Sequence, residues 1–149
     1  KQKAKRYYGV LEGQFHKYYE MAIKEAGVTG DYLLRILESR LDNVVFRMGM
    51  ARTRREARQV VGHKHVLVNG KCVNIPSYRI KVGDVISLRD NSKKSVKFKE
   101  IIETTAGRVT PTWLDVNKDE QSAKVIRMPV KEDLDYEIEE HLIVELYSK

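Results

Sequence analysis

The chain has 149 residues, of which 42% are hydrophobic and 33% charged, and its formal net charge is +7. This length allows one ordinary domain or two small ones, and the positive charge favours an anionic partner. The single cysteine excludes an internal disulfide framework, and no apolar run approaches membrane-spanning length. We therefore expect a soluble, intracellular protein.

The charge is distributed unevenly along the chain. Residues 42–108 contain 15 Lys and Arg against 6 Asp and Glu, whereas residues 109–149 contain 5 against 10. A basic middle next to an acidic tail indicates either two different partners or one partner and a flank that it repels.

Two helical regions are predicted at the start of the chain. Apolar residues recur at three- and four-residue spacing over 1–26, and Gly27 is a stop signal. The recurring apolar residues are Leu11, Phe15, Tyr18, Tyr19, Ala22, Ile23 and Ala26. The same period runs from residue 32 to Met48, which predicts either one long helix or two helices with a bend near Ser39.

The next segment, ARTRREARQVVGHKHVLVNGKCV, predicts a helix followed by a hairpin. Thr53 and Glu56 form a capping-box pattern, so the helix begins near Arg54 and ends at Gly62. Periodicity then changes to two, and Asn69-Gly70 is a strong signal for a two-residue hairpin turn. DVISLR predicts a further strand.

The remaining elements place the chain in the α+β class. KKSVKFKEIIETTAG predicts a helix from Ser95 to Gly107, TWLDV and AKVIRM predict two strands, and DLDYEIEEHLIVELYS predicts a last helix. That last helix could pack onto the first helices. We therefore expect a helical domain formed by 1–41 and 131–149, with a domain of residues 42–130 inserted between them.

Four arginines lie within seven residues of the predicted helix at 54–62 and its start. Arg54 and Arg58 are four residues apart and Arg55 and Arg58 three apart, spacings at which like charges destabilise a helix by about 0.2–0.5 kcal/mol per pair. The planar guanidinium suits bidentate phosphate contact. The pattern favours nucleic-acid binding over an ordinary solvated face, and we expect the side chains of Arg54 and Arg58 to lie outside the core.

Metal, cofactor and enzyme signatures are weak or missing. His63, His65 and Cys72 would supply three metal ligands at most, so we expect no metal and no cofactor, and we expect Cys72 to be a small buried residue. The histidines then extend the basic surface. The sequence contains no glycine-rich phosphate loop, HExxH or GxSxG, which predicts that the protein is not an enzyme.

The segment RLDNVVFRMGMARTRREARQVVGHKHVLVNGKCVNIPSYRIKVGDVISLR resembles the RNA-binding module named after the small-subunit ribosomal protein four family. KQKAKRYYGVLEGQFHKYYEMA resembles the first helical region of bacterial members, EEHLIVELYSK resembles their C-terminal end, and PTWLDV fits as well. The resemblance therefore extends over essentially all 149 residues.

The resemblance implies a helical domain built from both chain ends with an inserted S4-type RNA-binding domain. That domain would combine a helix-turn-helix-like motif with a small, mostly antiparallel sheet. The implied function is that of a structural, cytoplasmic ribosomal protein that binds small-subunit (16S) rRNA early in assembly. It would contribute to translational accuracy, contact neighbouring proteins (notably protein five) and line the path by which mRNA enters. Some members repress their own operon.

These considerations predict two groups of functional residues. The RNA-binding residues are expected to be Lys1, Lys3, Lys5, Arg6, Arg47, Arg52, Arg54, Arg55, Arg58, His63, Lys64, His65, Lys93, Lys94 and Lys97. Arg47 is ambiguous, because an arginine at a helix end can equally cap carbonyls. Glu132, Asp133 and Asp135 suit a basic protein neighbour better than phosphate.

Two alternatives and one departure from the family pattern stand beside this interpretation. The module is also fused to RNA-modifying and aminoacylating enzymes, and it could belong to a free-standing stress-response RNA binder. Family members carry several tens of residues before the position of Lys1, with a zinc cluster of cysteines in some bacteria. The printed sequence lacks that segment and begins without Met, and Cys72 matches no such cluster.

Overall fold

The computed structural model describes residues 8–24 and 29–130, the last of these ranges with side chains from Tyr32 onward. Its elements are α1 (Glu12–Ile23), α2 (Thr29–Glu38), α3 (Leu41–Arg47), α4 (Arg54–Gly62), β1 (Val66–Val68), β2 (Lys71–Cys72), β3 (Val85–Leu88), α5 (Asp90–Lys93), α6 (Val96–Thr105), β4 (Leu114–Asn117) and β5 (Ser122–Val125). The predicted last helix lies outside the described residues. Among the described helices, none has the length and apolar character needed to cross a membrane.

The chain divides into two compact units, and the division falls between Glu38 and Ser39. The second unit extends from Ser39 to Met128, close to the inserted domain of 42–130 expected from the sequence. The expected completion of the helical domain by 131–149 concerns residues outside the described part of the chain, so it stays a prediction.

The first unit is built on an apolar contact between α1 and α2. Phe15, Tyr18 and Ala22 of α1 form one buried cluster with Leu33 and Leu37 of α2. These are the positions that the helical period selects. Leu11 is an exception, because it is the residue before the helix begins and its side chain is 81% exposed.

The second helical region is two helices, with the break at Ser39 and Arg40. Arg40 has extended backbone angles, which stop α2 from continuing into α3. The first turn of α3 is held by another segment: Leu41 N donates to Tyr78 O (2.7 Å) and Asp42 N to Pro76 O (3.1 Å). These bonds satisfy amides that a helix start leaves without intrahelical acceptors.

The five strands of the second unit form one antiparallel sheet in the order β2-β1-β3-β5-β4. Alternate residues of the central strands are buried, as a sheet with one covered face requires. The buried side chains of β1, β3 and β5 are Val66, Val68, Ile86, Leu88, Ala123 and Val125. They share a core with residues of α3, α4 and α6, and with the fully buried Trp113.

The short helix α5 was not expected from the sequence, and it changes the setting of two lysines. The helix expected from Ser95 is α6, which begins at Val96 with Ser95 as its N-cap residue. Lys93 and Lys94 do not lie at the start of that helix, where a positive charge opposes the helix dipole. They lie at the C-terminal end of α5, where the dipole favours positive charge.

Candidate nucleic-acid interface

Helix α4 begins at the predicted capping residues. Glu56 N donates to Thr53 Oγ1 (3.0 Å), and the Glu56 side chain accepts from Arg52 N (2.8 Å), one residue earlier than in the standard capping box. Ala57, Val60 and Val61 bury the inner face of the helix. The helix is therefore fixed both at its start and along one side.

Two of the four arginines are exposed at the start of this helix. Arg52 is exposed and lies 3.6 Å from Glu56 Oε1 through its Nε. Arg55 is exposed and lines a shallow groove with Thr53, Glu56 and Gln59. Arg58, one turn further along, is half-buried. Arg52 and Arg55 are thus placed where a phosphate can reach them.

The structure corrects the expectation that the Arg54 side chain lies outside the core. Arg54 is half-buried, its Nε donates to Oδ1 of the buried Asn43 (2.9 Å), and its guanidinium lies 4.3 Å from the centroid of the Phe46 ring. Cation–π contact of this kind favours a fixed side chain. Arg54 therefore joins α4 to α3, and any role in RNA binding is exerted through this positioning.

Arg47 is another predicted contact that the structure places inside the protein. Its side chain is 8% exposed at the end of α3, and its guanidinium lies 6.0 Å from the Phe46 ring centroid. A buried side chain cannot meet a phosphate without a rearrangement. This burial favours the structural side of the alternative that the sequence left open for Arg47.

Arg108 is a participant that sequence reasoning missed. Its Nη1 donates to Phe46 O (2.8 Å) and Ala51 O (3.0 Å), its Nη2 donates to Arg52 O (3.0 Å), and it lies 4.5 Å from the Phe46 ring centroid. A single arginine in an unremarkable segment gives no sequence signal for contacts with residues more than 50 positions away.

The arginines around Phe46 create a local excess of positive charge. Burial lowers the pKa of Arg108 from its ordinary value, and the charges of Arg47 and Arg54 lower it further. Three backbone carbonyls and the π-face of Phe46 partly compensate this charge. An anion bound nearby would reduce the remaining repulsion.

A second basic group forms where α4 meets the sheet. Lys64 has a left-handed backbone (φ 66°), and its carbonyl accepts from Arg89 Nη1 (3.3 Å). His63 and Lys64 are exposed, whereas His65 is half-buried. Its Nδ1 lies 2.7 Å from Ser92 Oγ, and its ring and that of Phe98 form an edge-to-face pair. Arg89 is a second residue that the sequence analysis missed.

The position of His65 affects its protonation. Burial lowers the pKa of His65 from its ordinary value, and the neighbouring charges of Lys97, His63 and Arg89 lower it further. His65 is therefore less readily protonated than an ordinary histidine. Lys97 was also predicted as an RNA contact. Since its charge acts on His65, it belongs to the same basic group as the three predicted residues at 63–65.

Cys72 is exposed, so the expectation that it is a small buried residue was wrong. It lies on the two-residue strand β2, both of whose side chains are exposed, and its Sγ lies 3.7 Å from Lys64 O. Within the described ranges, no group of three or more His, Cys, Asp or Glu side chains could hold a metal ion.

The structure thus brings seven of the predicted residues into two groups within the second unit. Arg47, Arg52 and Arg54 lie near the α3–α4 loop, and His63, Lys64, His65 and Lys97 lie near the end of α4. The predicted contacts at both chain ends lie outside the described residues. They are Lys1, Lys3, Lys5, Arg6, Glu132, Asp133 and Asp135.

Comparison with known proteins gives matches along the whole chain. The S4 domain family matches residues 39–86, and the ribosomal protein S4/S9 N-terminal domain family matches residues 1–38. The small ribosomal subunit protein uS4 of Acetivibrio thermocellus is 60% identical over 149 residues, which are 100% of this chain and 72% of that protein. Proteins of the same name from Lachnospira eligens and Pelotomaculum thermopropionicum are 58% and 52% identical over 149 residues, with 76% and 72% of their lengths covered.

These matches confirm the resemblance drawn from the sequence. They also agree with the fold, because the two matched families meet between residues 38 and 39, where the two compact units divide. Since identity above 50% extends over the whole chain and over more than two thirds of each relative, the chain belongs to the small ribosomal subunit protein uS4 family.

Proposed function

We propose that this protein is a structural component of the small ribosomal subunit that binds small-subunit (16S) rRNA directly. The observation that supports the proposal most is the identity over all 149 residues to proteins named for the small ribosomal subunit. Those relatives are named as proteins of the small ribosomal subunit, and the chain is accordingly a structural component and not an enzyme. The exposed arginines at the start of α4, Arg52 and Arg55, supply the binding chemistry.

RNA recognition in this proposal depends on shape and phosphate positions. An A-form RNA helix hides its base edges in a deep, narrow groove, so a basic protein surface meets mainly the backbone. Arg52 and Arg55 contact phosphates from the start of α4, and Arg58, His63 and Lys64 extend the surface along it. Arg54 acts by positioning the helix, since it is held by Asn43 and Phe46.

The proposal also includes roles of this protein in the assembled ribosome and contacts made by the two ends of the chain. The protein binds rRNA early and so promotes subunit assembly, contributes to translational accuracy, and lies beside the path by which mRNA enters the cytoplasmic ribosome. Lys1, Lys3, Lys5 and Arg6 form a second rRNA contact. The acidic residues Glu132, Asp133 and Asp135 meet a basic neighbouring protein, for which protein five is the candidate.

The salt dependence of rRNA binding tests the phosphate contacts. Affinity falls as salt rises, and Arg55→Ala should reduce the steepness of this fall, the magnitude of the slope of log affinity against log salt concentration, by about one, because one phosphate contact is lost. Its unfolding temperature should stay unchanged, since the Arg55 side chain is exposed. The measurement is filter binding of the full chain to a 16S rRNA transcript across a salt series.

Lys124→Ala is the matched control, because it removes one exposed positive charge from β5. Lys124 lies opposite Asp115 in the register of β4 and β5. The control should keep the wild-type slope. An unchanged slope in Arg55→Ala would remove Arg55 from the phosphate contacts. Sedimentation of the protein apart from small subunits would instead favour a free-standing RNA binder, and turnover on RNA would favour an enzyme.

A further inference from the structure

The loop between α3 and α4 is held from a distant part of the chain. Residues 48–53 connect the two helices and carry Arg52 at their end. Two side chains at and just after the end of α6, Thr105 and Arg108, contact the carbonyls of this connection. We call Thr105 and Arg108 the clasp.

Arg108 gives the clasp a rigid fork. Its two terminal nitrogens bind the carbonyls of Phe46, Ala51 and Arg52, so one planar group joins the end of α3 to the residue before the N-cap of α4. Lysine cannot reproduce this contact, because its ammonium is a single point of charge without the fixed fork.

Thr105 holds the middle of the same loop. Its Oγ1 lies 2.7 Å from Gly49 O, and the side chain is buried. Gly49 has a φ of +88°, and a Cβ at this position would lie 3.2 Å from Thr105 Oγ1. The loop therefore approaches α6 so closely that its backbone conformation and its contact with Thr105 depend on each other.

The loop and the RNA-facing arginines are connected through the backbone. The carbonyl of Arg52 is bound by Arg108, and the amide of Arg52 is bound by Glu56. Both peptide groups of Arg52 are thus fixed, and the side chain of Arg52 starts from a fixed Cα. Arg55 follows within the first turn of α4, whose start is set by the same residues.

We propose that Arg108, together with Thr105, is a positioning residue for RNA binding, which holds the α3–α4 loop so that Arg52 and Arg55 meet the RNA in one arrangement. This inference rests on the proposed rRNA binding. In this proposal Arg108 acts through the loop, because three of its five N–H donors bind backbone carbonyls of the loop and its flanks. The RNA then binds a loop that is already ordered, and no affinity is lost to ordering it.

Three variants test this role in the full chain. Arg108→Lys keeps the charge and removes the fork, Arg108→Met removes both, and Thr105→Val removes the hydroxyl with little change in shape. Each should lower the affinity for a 16S rRNA transcript about ten-fold, the factor expected when only a tenth of the molecules have the competent loop. The salt slope should stay at the wild-type value in all three, because no phosphate contact is removed.

Two further measurements separate positioning from other roles. Amide hydrogen exchange at residues 49–53 should become faster in the three variants, measured well below the unfolding temperature. Arg127→Met is the matched control, because Arg127 is an exposed arginine whose Nη1 also donates to a backbone carbonyl, that of Met128. This control should keep the wild-type affinity, slope and exchange at 49–53.

The outcomes are distinct. If Arg108→Lys binds like the wild type while Arg108→Met loses one unit of salt slope, Arg108 contacts phosphate directly and the inference is wrong. If the variants unfold at lower temperature but bind rRNA normally when folded, the clasp serves stability alone and the inference is equally wrong. Should the Arg108 variants fail to fold, Thr105→Val decides between these results. Absence of rRNA binding by the wild type would instead contradict the proposed function.

Discussion

Arg54 and Arg55 are neighbours in the sequence and have opposite environments. Arg55 is exposed, whereas Arg54 is fixed between Asn43 and Phe46. Helical periodicity indicates that the two point in different directions, but it does not indicate that α3 covers one of them. That information comes from the packing of α3 on α4. The α3 residue that binds Arg54 is Asn43, which lies 11 positions earlier in the sequence.

Arg40 and Asp42 form a buried ion pair that a charge count of the sequence does not reveal. Arg40 Nε and Nη2 donate to the two carboxylate oxygens of Asp42 at 3.1 and 3.0 Å, and both side chains are at most 4% exposed. Removing one partner of a buried pair is strongly destabilising, because the other charge stays desolvated.

We therefore expect Asp42→Asn to lower the free energy of unfolding by about 3–5 kcal/mol. The matched control is Asp90→Asn, whose carboxylate is exposed and lies 3.8 Å from Lys93 Nζ, and which should change the stability by less than about 0.5 kcal/mol. Urea denaturation of both variants measures the difference. Equal small effects would show that the Arg40–Asp42 pair contributes little.

His65 should make the stability depend on pH. Its pKa in the folded protein is lower than its ordinary value, so the unfolded chain binds the proton more readily. The contribution is fully present above pH about 6.5 and is lost as the pH falls below that value toward the pKa of the folded state. His65→Gln should reduce the loss of stability between pH 7.5 and 5.5, measured by urea denaturation at each pH. An NMR titration of the His65 ring with a midpoint at or above 6.5 would contradict this prediction.

At the level of elements, local signals in the sequence predicted most boundaries. The Thr53–Glu56 cap and the Asn69-Gly70 turn depend on residues within three positions of each other, and both are observed. The break after α2 was predicted only as an alternative, because the bonds that fix it come from Pro76 and Tyr78. Helix α5 was missed, since its four residues are too few to show a period.

The hairpin turn between β1 and β2 has two residues with left-handed backbones, Asn69 (φ 52°) and Gly70 (φ 81°). A positive φ at both central residues fits a type I′ turn, whose twist matches that of the paired strands. Asn69 adds two side-chain bonds, because its Oδ1 accepts from Val85 N and its Nδ2 donates to Asp84 Oδ1, both at 2.9 Å. The turn is thereby connected to β3 as well as to its own hairpin.

Two glycine-to-alanine changes separate backbone conformation from space. A Cβ would meet nothing within 4 Å at either Gly70 or Gly62, but only Gly70 has a positive φ. Gly70→Ala should therefore destabilise the protein by about 1–2 kcal/mol. Gly62→Ala, at the end of α4, should be neutral or stabilise by up to about 1 kcal/mol. Thermal unfolding of both variants checks the contrast, and similar effects at the two sites would contradict the backbone argument.

At the level of the whole molecule, the buried apolar residues that the structure describes form two clusters, with Tyr19 in neither. One cluster lies within residues 8–37, and the other extends from Leu41 to Val125. The second cluster is thus contained in the unit Ser39–Met128, together with its sheet and the clasp. The inserted domain of 42–130 was expected from the order of elements and the family resemblance, not from any composition shift at residue 38, and this domain assignment stays a prediction.

We accordingly expect residues 39–128, produced alone, to fold and unfold cooperatively. Their core includes the fully buried Trp113 and the nearly fully buried Leu88, and the sheet order is completed within the segment. Leu88→Ala should lower the free energy of unfolding by about 2–5 kcal/mol, as for other buried leucines. The decrease should be the same in the segment and in the full chain. Urea denaturation followed by tryptophan fluorescence measures both, because Trp113 is the only tryptophan. Two outcomes would show that the core of 39–128 depends on the rest of the chain. One is a segment without a cooperative unfolding transition, and the other is an effect of Leu88→Ala that differs by more than about 0.5 kcal/mol between segment and full chain.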